Sequence, residues 1–389
     1  MRKDVYVLIM SRALRSAAFS YLTFIIPLYL KSVGFTVSEI GLYFFIAVTS
    51  SALLVLLSGF LGDIIGRRDS LIIMSSLFVA SMVIFSITSN RLLLFITSIF
   101  GTTTGAAGGG GAGGGPIAPL QTSLLADYTE SRERTRVFGL ATSVSILSSL
   151  TGSVISYVML SLGFNDTALF RLSLILSIVA LLSLFMVRRD RPRVKTFNLN
   201  EILPRRSSRS ITKIAVAGSL GSLGLGMVTP LLPLWFRLYL HASEVEINGM
   251  YTASYVVSAL FTLWAKRIET IIGRVRAISL LRSLSVSLFV AMAFIPIFLV
   301  DAALYVIRVA LYMVTIPMRQ SLSTEIIDES ERARGLSLTG LARRVPYGIG
   351  STIAGVMMDY AEYSLSMVLG GLIALLDPIL YYIFFRKYD

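Results

Sequence analysis

The sequence has no cysteine and a single histidine in 389 residues. The first absence excludes disulfides, thiol catalysis and cysteine-ligated metals. The second leaves His241, in a short polar connection, without the companions that a zinc site or a catalytic triad needs. Charge is scarce too: 15% of residues are charged, against about 25% in an average soluble domain. No Walker-type lysine follows a glycine-rich loop and no carboxylates cluster at metal-ligand spacing. Direct use of ATP, a metal, any other cofactor or an enzymatic centre is therefore not expected.

What fills the chain is apolar. Hydrophobic residues make up 55% and the mean hydropathy is +0.77. They fall into long, nearly uncharged blocks near 5–30, 39–61, 70–89, 92–126, 136–162, 168–187, 210–240, 247–265, 276–298, 302–325, 334–360 and 365–385. Blocks of about 20 such residues suit helices that cross a bilayer, so an all-α membrane protein with twelve spans is expected. Arg12 and Arg15 interrupt the first block, and no small-residue cleavage site follows. The block is thus expected to be a retained span, not a signal peptide.

The longest polar connection lies between the sixth and seventh spans and divides the chain into residues 1–187, a basic linker 188–210 and residues 211–389. With a cytoplasmic N-terminus, the inward connections hold 24 of the 35 lysines and arginines, and the outward ones hold only Lys31 and Arg91. This positive-inside bias places both termini in the cytoplasm. It accounts for the net charge of +13 without nucleic acid, and lets the linker meet anionic lipid.

The two halves are related. "PLQTSLLADYTESRERTRVFGL" (119–140) aligns without gaps on "PMRQSLSTEIIDESERARGLSL" (317–338), setting Asp127 opposite Glu325 and Arg134 opposite Arg332. Two similar six-span halves in the same orientation imply parallel repeats about an axis along the membrane normal, a design in which transporters bind substrate near the midplane between the halves. The fourth block contains "GAAGGGGAGGGP" (105–116). From Leu92 to Ala126, 35 residues would make a helix of about 52 Å against a hydrocarbon core of about 30 Å. The glycine run is where span 4 is expected to start, bend or unwind, with an extracellular linker as the alternative.

The segment "GFLGDIIGRR" (59–68) between spans 2 and 3 resembles the signature loop of the major facilitator superfamily, and the resemblance extends over essentially the whole chain. Gly62 and Gly66 permit a tight turn, Asp63 can receive charge-assisted hydrogen bonds, and Arg67 and Arg68 supply donors. The resemblance implies a cytoplasmic latch between this loop and the acid ending span 4, Asp127. Arg134, and in the second half Glu325 and Arg332, are its repeat-related companions. The second copy of the loop, "WAKRIETIIGRVR" (264–276), keeps only Glu269, Gly273 and Arg274, so an asymmetric latch is expected. Span 5 lacks the glycine-proline pattern of antiporters in this family, span 4 lacks the mid-span arginine of many of its drug exporters, and no sugar-porter signature follows span 6.

Charges within spans default to function because each costs about 2.5–3.5 kcal/mol on insertion scales. The resemblance implies that spans 1, 4, 7 and 10 line the cavity. Arg15 in span 1, Gln121 in span 4 and Arg308 with Tyr312 one turn on in span 10 are therefore candidate substrate ligands. Arg343 and Tyr347 in span 11 and Tyr255 in span 8 join them. Asp377 in span 12 is the candidate proton carrier, with a structural pairing to Arg282 as the competing expectation. Pro27, Pro230 and Pro233 are expected either to kink spans 1 and 7 or simply to end helices.

The reading that follows is a monomeric secondary active transporter in the cell membrane, moving a small organic solute by alternating access with coupled protons. The intramembrane arginines favour an organic anion. Export of drug-like compounds competes with it, and a receptor or lipid scramblase on the same scaffold is a further alternative.

Overall fold

The structure, a computed structural model, describes residues 3–103, 115–130, 133–190, 207–328 and 332–389; the side chains at 59, 60, 63, 134, 135, 324, 332–334, 336 and 337 lie outside the described set. Every regular element among the described residues is helical. Nine helices or helix pairs are long and apolar enough to cross a membrane. α-Helices form here because lipid offers no hydrogen bonds, so each span must satisfy its own backbone.

The chain divides into two compact units, Met1–Phe35 with Ile46–Thr196, and Thr36–Phe45 with Phe197–Asp389. In the first, α1 (Lys3–Phe19) and α2 (Leu22–Ser32) share one span. They are followed by α3 (Val37–Ile64), α4 (Arg67–Ile87), α5 (Arg91–Ile96), α6 (Ile117–Asp127), α7 (Arg134–Ser161) and α8 (Asp166–Leu184). Asn90 and Asn165 accept backbone N–H groups at the starts of α5 and α8, satisfying donors that a helix start leaves free. The sequence boundary assigns all of α3 to the first half, whereas its opening residues, 36–45, group with the second unit. There Gly41 lies so close to Ser351 that a Cβ would stand 2.4 Å from its carbonyl oxygen, and Asp359 accepts the Val37 and Ser38 N–H groups at 2.8 Å each.

The second unit continues with α9 (Ser208–Val228), α10 (Leu232–Leu238), α11 (Glu244–Thr262), α12 (Ala265–Ile272), α13 (Arg274–Met292), α14 (Phe298–Ile326), α15 (Arg332–Asp359) and α16 (Tyr363–Phe385). A complete capping box, Ser243 with Glu246, opens α11. The neighbour pattern repeats: α1 packs on α7 and α8 as α9 packs on α15 and α16, and α4 meets α8 and α6 as α13 meets α16 and α14.

Three expected spans are not among the nine. α11 and α15 are 19 and 28 residues long but are diluted by polar and charged positions, Arg343 and Arg344 among them. The fourth block is interrupted. α5 passes into a 3-10 turn over Thr97–Phe100 and ends at Gly101, whose φ of 60° only glycine adopts readily. Helix resumes at Ile117 after Gly115, with φ 79°. Most of the glycine run, residues 104–114, lies outside the described residues.

The prolines act unequally. Span 1 is interrupted at Ser20–Tyr21, where the Ser20 hydroxyl donates to the Ala17 carbonyl at 2.9 Å, while Pro27 sits inside α2. In span 7, α9 stops two residues before Pro230, and Pro233 occupies the first turn of α10, where its missing N–H leaves no bond unmade.

Candidate functional site

The turn between α3 and α4 depends on Gly66, at φ 98° and ψ 148°. It leaves the start of α4 open to Asp190, whose carboxylate accepts the Arg67 and Arg68 N–H groups at 2.7 and 3.0 Å. An acid there also complements the positive end of the helix dipole. Arg67 reaches across to Asp127 at the end of α6, Nη1 to Oδ2 at 2.6 Å, with both side chains about a quarter exposed. Arg68 turns away, donating to the Leu184 and Phe185 carbonyls at 3.3 and 2.9 Å and pairing with Asp69. Gly62 keeps room for this arrangement, since a Cβ there would touch Leu120 and the Arg67 stem at 3.2 and 3.3 Å. The Asp63 and Arg134 side chains lie outside the described residues.

In the second copy the three residues that the sequence retains, Glu269, Gly273 and Arg274, come together. Gly273, at φ 92° and ψ 154°, makes the same turn between α12 and α13. Asp389 accepts the Val275 N–H at 2.9 Å, as Asp190 accepts that of the equivalent Arg68. Arg274 pairs with Glu269 and with Glu325, both at 2.5 Å. The acid stands at the position of Gly62, one residue earlier than that of Asp63. The Arg332 side chain lies outside the described residues.

Within the first unit, Arg15 and Gln121 come together. Arg15 Nη2 donates to Gln121 Oε1 at 2.8 Å, and Gln121 Nε2 donates to the Leu8 carbonyl at 3.0 Å. Arg15 is 6% exposed, and among the described residues its Nε has no partner and no carboxylate pairs with it. Arg12, one turn away, donates to Ser145 of α7 at 2.8 Å. In the same unit Asp4 accepts the Arg188 N–H at 3.0 Å, and Tyr128 donates to the Arg188 carbonyl at 2.6 Å. Burial, then the nearby Asp190, Asp4 and Asp127, push the Tyr128 phenol up to about 12.

The second unit holds a denser cluster. Asp377 on α16 accepts Arg282 Nη1 of α13 at 2.7 Å and both terminal nitrogens of Arg319 of α14, at 2.8 and 3.0 Å. Sequence pairs Asp377 with Arg282 alone. The repeat alignment carried the missing signal, because Arg319 stands opposite Gln121. Glycines of α9 admit the cluster: a Cβ at Gly221 would stand 2.3 Å from that of Asp377, and one at Gly218 would stand 2.5 Å from Arg343 Nε.

Among the described residues, Arg308 and Arg343 form no ion pair with an acid. The Arg308 guanidinium lies over Phe289 at 4.0 Å and beside Tyr312 at 5.4 Å from the ring centroids, 6% exposed, with Nε unpartnered. Arg282 covers Tyr312 at 4.5 Å. Tyr305, Tyr251 and Tyr347 are within electrostatic range of Arg308, and Arg319, Asp377 and Tyr312 within range of Arg343. Arg308, Tyr312, Arg343 and Tyr347, scattered over two spans in sequence, thus share one aromatic, basic region. Tyr255 is half-buried on α11, one turn from Tyr251. Sequence reasoning missed Tyr305, Phe289 and Asp301, the last because the tenth block was drawn from residue 302.

The described residues hold no cluster of acids or histidine suited to a metal ion. No curated protein sequence matches the chain significantly. Solved structures do. A D-xylose–proton symporter superposes with a TM-score of 0.76 at 16% identity, covering 98% of each chain. The POT family transporter PepTSo gives 0.78 at 12% identity, covering 100% of this chain and 98% of its own. The human organic anion transporter MFSD10 (TETRAN) gives 0.67 at 15%, covering 98% and 99%. At these identities the likeness is one of fold. The sequence profile of the Major Facilitator Superfamily matches twice, over residues 8–213 and 214–389. Sharing that profile across both repeats and the transporter fold throughout, this membrane protein belongs to the Major Facilitator Superfamily.

Proposed function

We propose that this transporter moves a small organic anion across the cell membrane by alternating access, coupled to protons. It acts as a monomer with twelve crossings and both termini in the cytoplasm. The observation that carries the reading is the imbalance of buried charge. Arg282 and Arg319 share Asp377, whereas Arg15, Arg308 and Arg343 have no ion-pair partner among the described residues. A guanidinium held out of water without a counter-ion is unfavourable, and a mobile anion supplies the missing charge. Arginine's planar donors and the surrounding tyrosine hydroxyls suit a carboxylate, sulfonate or phosphate. The partly exposed pairs Arg67–Asp127 and Arg274–Glu325 support a latch that is made and broken in the cycle.

The test is a thermal-stabilisation screen of purified protein against organic anions, amphipathic cations and sugars, followed by proteoliposome uptake with an imposed pH gradient. Anions should stabilise the wild type and fail to stabilise Arg308→Gln or Arg15→Gln protein that is still folded. Stabilisation confined to neutral or cationic compounds would refute the anion reading and favour export of drug-like molecules.

A further inference from the structure

Asp301 is the most buried aspartate described. It is wholly inaccessible, and neither carboxylate oxygen has a hydrogen-bond partner among the described residues. Asp4 and Asp377, the other buried aspartates, are both ion-paired. Asp301 lies in the first turn of α14. Phe298 precedes it by three residues, and Tyr305, Arg308 and Tyr312 follow at four, seven and eleven, so all share one helix face.

Its surroundings are apolar and aromatic. Phe236 of α10 contacts Phe298 and Tyr305 at 5.8 and 6.4 Å between ring centroids, and Tyr251 of α11 contacts Tyr305 at 5.2 Å. The arginines of α10, α13 and α14 have other partners. Arg237 of α10 donates to the Ala242 carbonyl at 3.0 Å, Arg282 of α13 is held by Asp377, and Arg308 rests on Phe289. The helix dipole favours an acid at this end of α14. It does not replace the donors that an ionised carboxylate loses on burial, which is why buried polar groups without partners are rare and call for a cause.

We propose that Asp301 is the proton-binding group of this transporter, protonated while buried as it is here and deprotonated when its end of α14 meets water in the cycle. One O–H bond forms with a proton taken from water and breaks to return it, with no change of oxidation state. Ionised Asp301 stands about 10.5 Å along the same face from Arg308 and competes for that guanidinium. Neutral Asp301 leaves it to an anion. Proton and anion therefore bind together, each raising the affinity for the other. This deepens the proton-coupled reading above and, for its transport consequence, rests on it.

The experiment is infrared spectroscopy of purified protein labelled with 4-13C-aspartate, titrated over about pH 5–10. A carboxylic-acid C=O band that shifts on labelling should be present near neutral pH, decline as pH rises, vanish in Asp301→Asn and be replaced in Asp301→Glu by a band that the aspartate label does not shift. A band unchanged in Asp301→Asn, or no labelled band at all, overturns the proposal. The second outcome decides the matter in wild-type protein even if Asp301→Asn does not fold. In proteoliposomes, pH-driven accumulation of benzenesulfonate, which stays ionised and does not cross lipid unaided, should fall about tenfold or more in Asp301→Asn, while benzenesulfonate exchange without a gradient persists. Wild-type and Asp301→Asn protein accumulating benzenesulfonate equally overturns the assignment of Asp301 alone. A titrating Asp301 band in protein whose benzenesulfonate uptake ignores pH instead removes the proton-coupled reading and leaves the proton site standing.

Discussion

Replacing Asp377 by asparagine isolates the one buried carboxylate on which two arginines depend. The substitution keeps the shape and removes the charge. Arg282 and Arg319, with side chains only 4% and 7% exposed, would lose the acceptor of hydrogen bonds at 2.7, 2.8 and 3.0 Å. Breaking a buried pair by deleting one partner costs about 3–5 kcal/mol, because the remaining charge is stranded. At about 2–4 °C per kcal/mol for a unit of this size, the thermal midpoint in detergent should fall by roughly 10 °C. Adding Arg319→Gln should recover part of that loss. The exposed pair gives the contrast: Arg67→Gln or Asp127→Asn should cost no more than about 1 kcal/mol. If Asp377 were instead the group that cycles a proton, asparagine would imitate its protonated form. Asp377→Asn protein melting within about 2 °C of wild type would refute the structural role argued here.

Gly66→Ala and Gly273→Ala should each destabilise by about 1–2 kcal/mol, since φ near 95° puts a Cβ against backbone; equal midpoints for variant and wild type would contradict the turn geometry. Gly218→Leu should displace Arg343 and impair anion stabilisation more than it lowers the midpoint, as read in the same thermal screen. For Tyr128 the folded phenol is raised to about 12 from an ordinary value near 10. The folded state then binds more protons than the unfolded between those values, so its contribution is complete below pH 10 and fades towards pH 12. Tyr128→Phe should flatten that alkaline loss, measured as the wild-type minus variant midpoint against pH.

Much of the architecture was legible in the chain. Apolar blocks located the helices, glycines at 66 and 273 located the turns, and the repeat foretold that both units share one pattern of neighbours. The second copy of the turn looks weak in sequence because its acid stands one position earlier. A one-residue shift breaks a motif without breaking the geometry, since Glu269 has a longer side chain than an aspartate and still reaches Arg274. The broken fourth span was expected from length alone.

By itself, the sequence determined the environment and the plan. Hydropathy, charge placement and repetition are local or periodic properties, and a bilayer reads them one segment at a time. Only the tertiary structure decided which buried charges are satisfied. Asp377 and Arg319 are 58 residues apart and meet because α13 packs on both α14 and α16. Arg15 finds Gln121 across 106 residues, and Asp301 finds no hydrogen-bond partner among the described residues. The worth of a charge in a membrane depends on its partners in space, and that information exists only once the helices have packed.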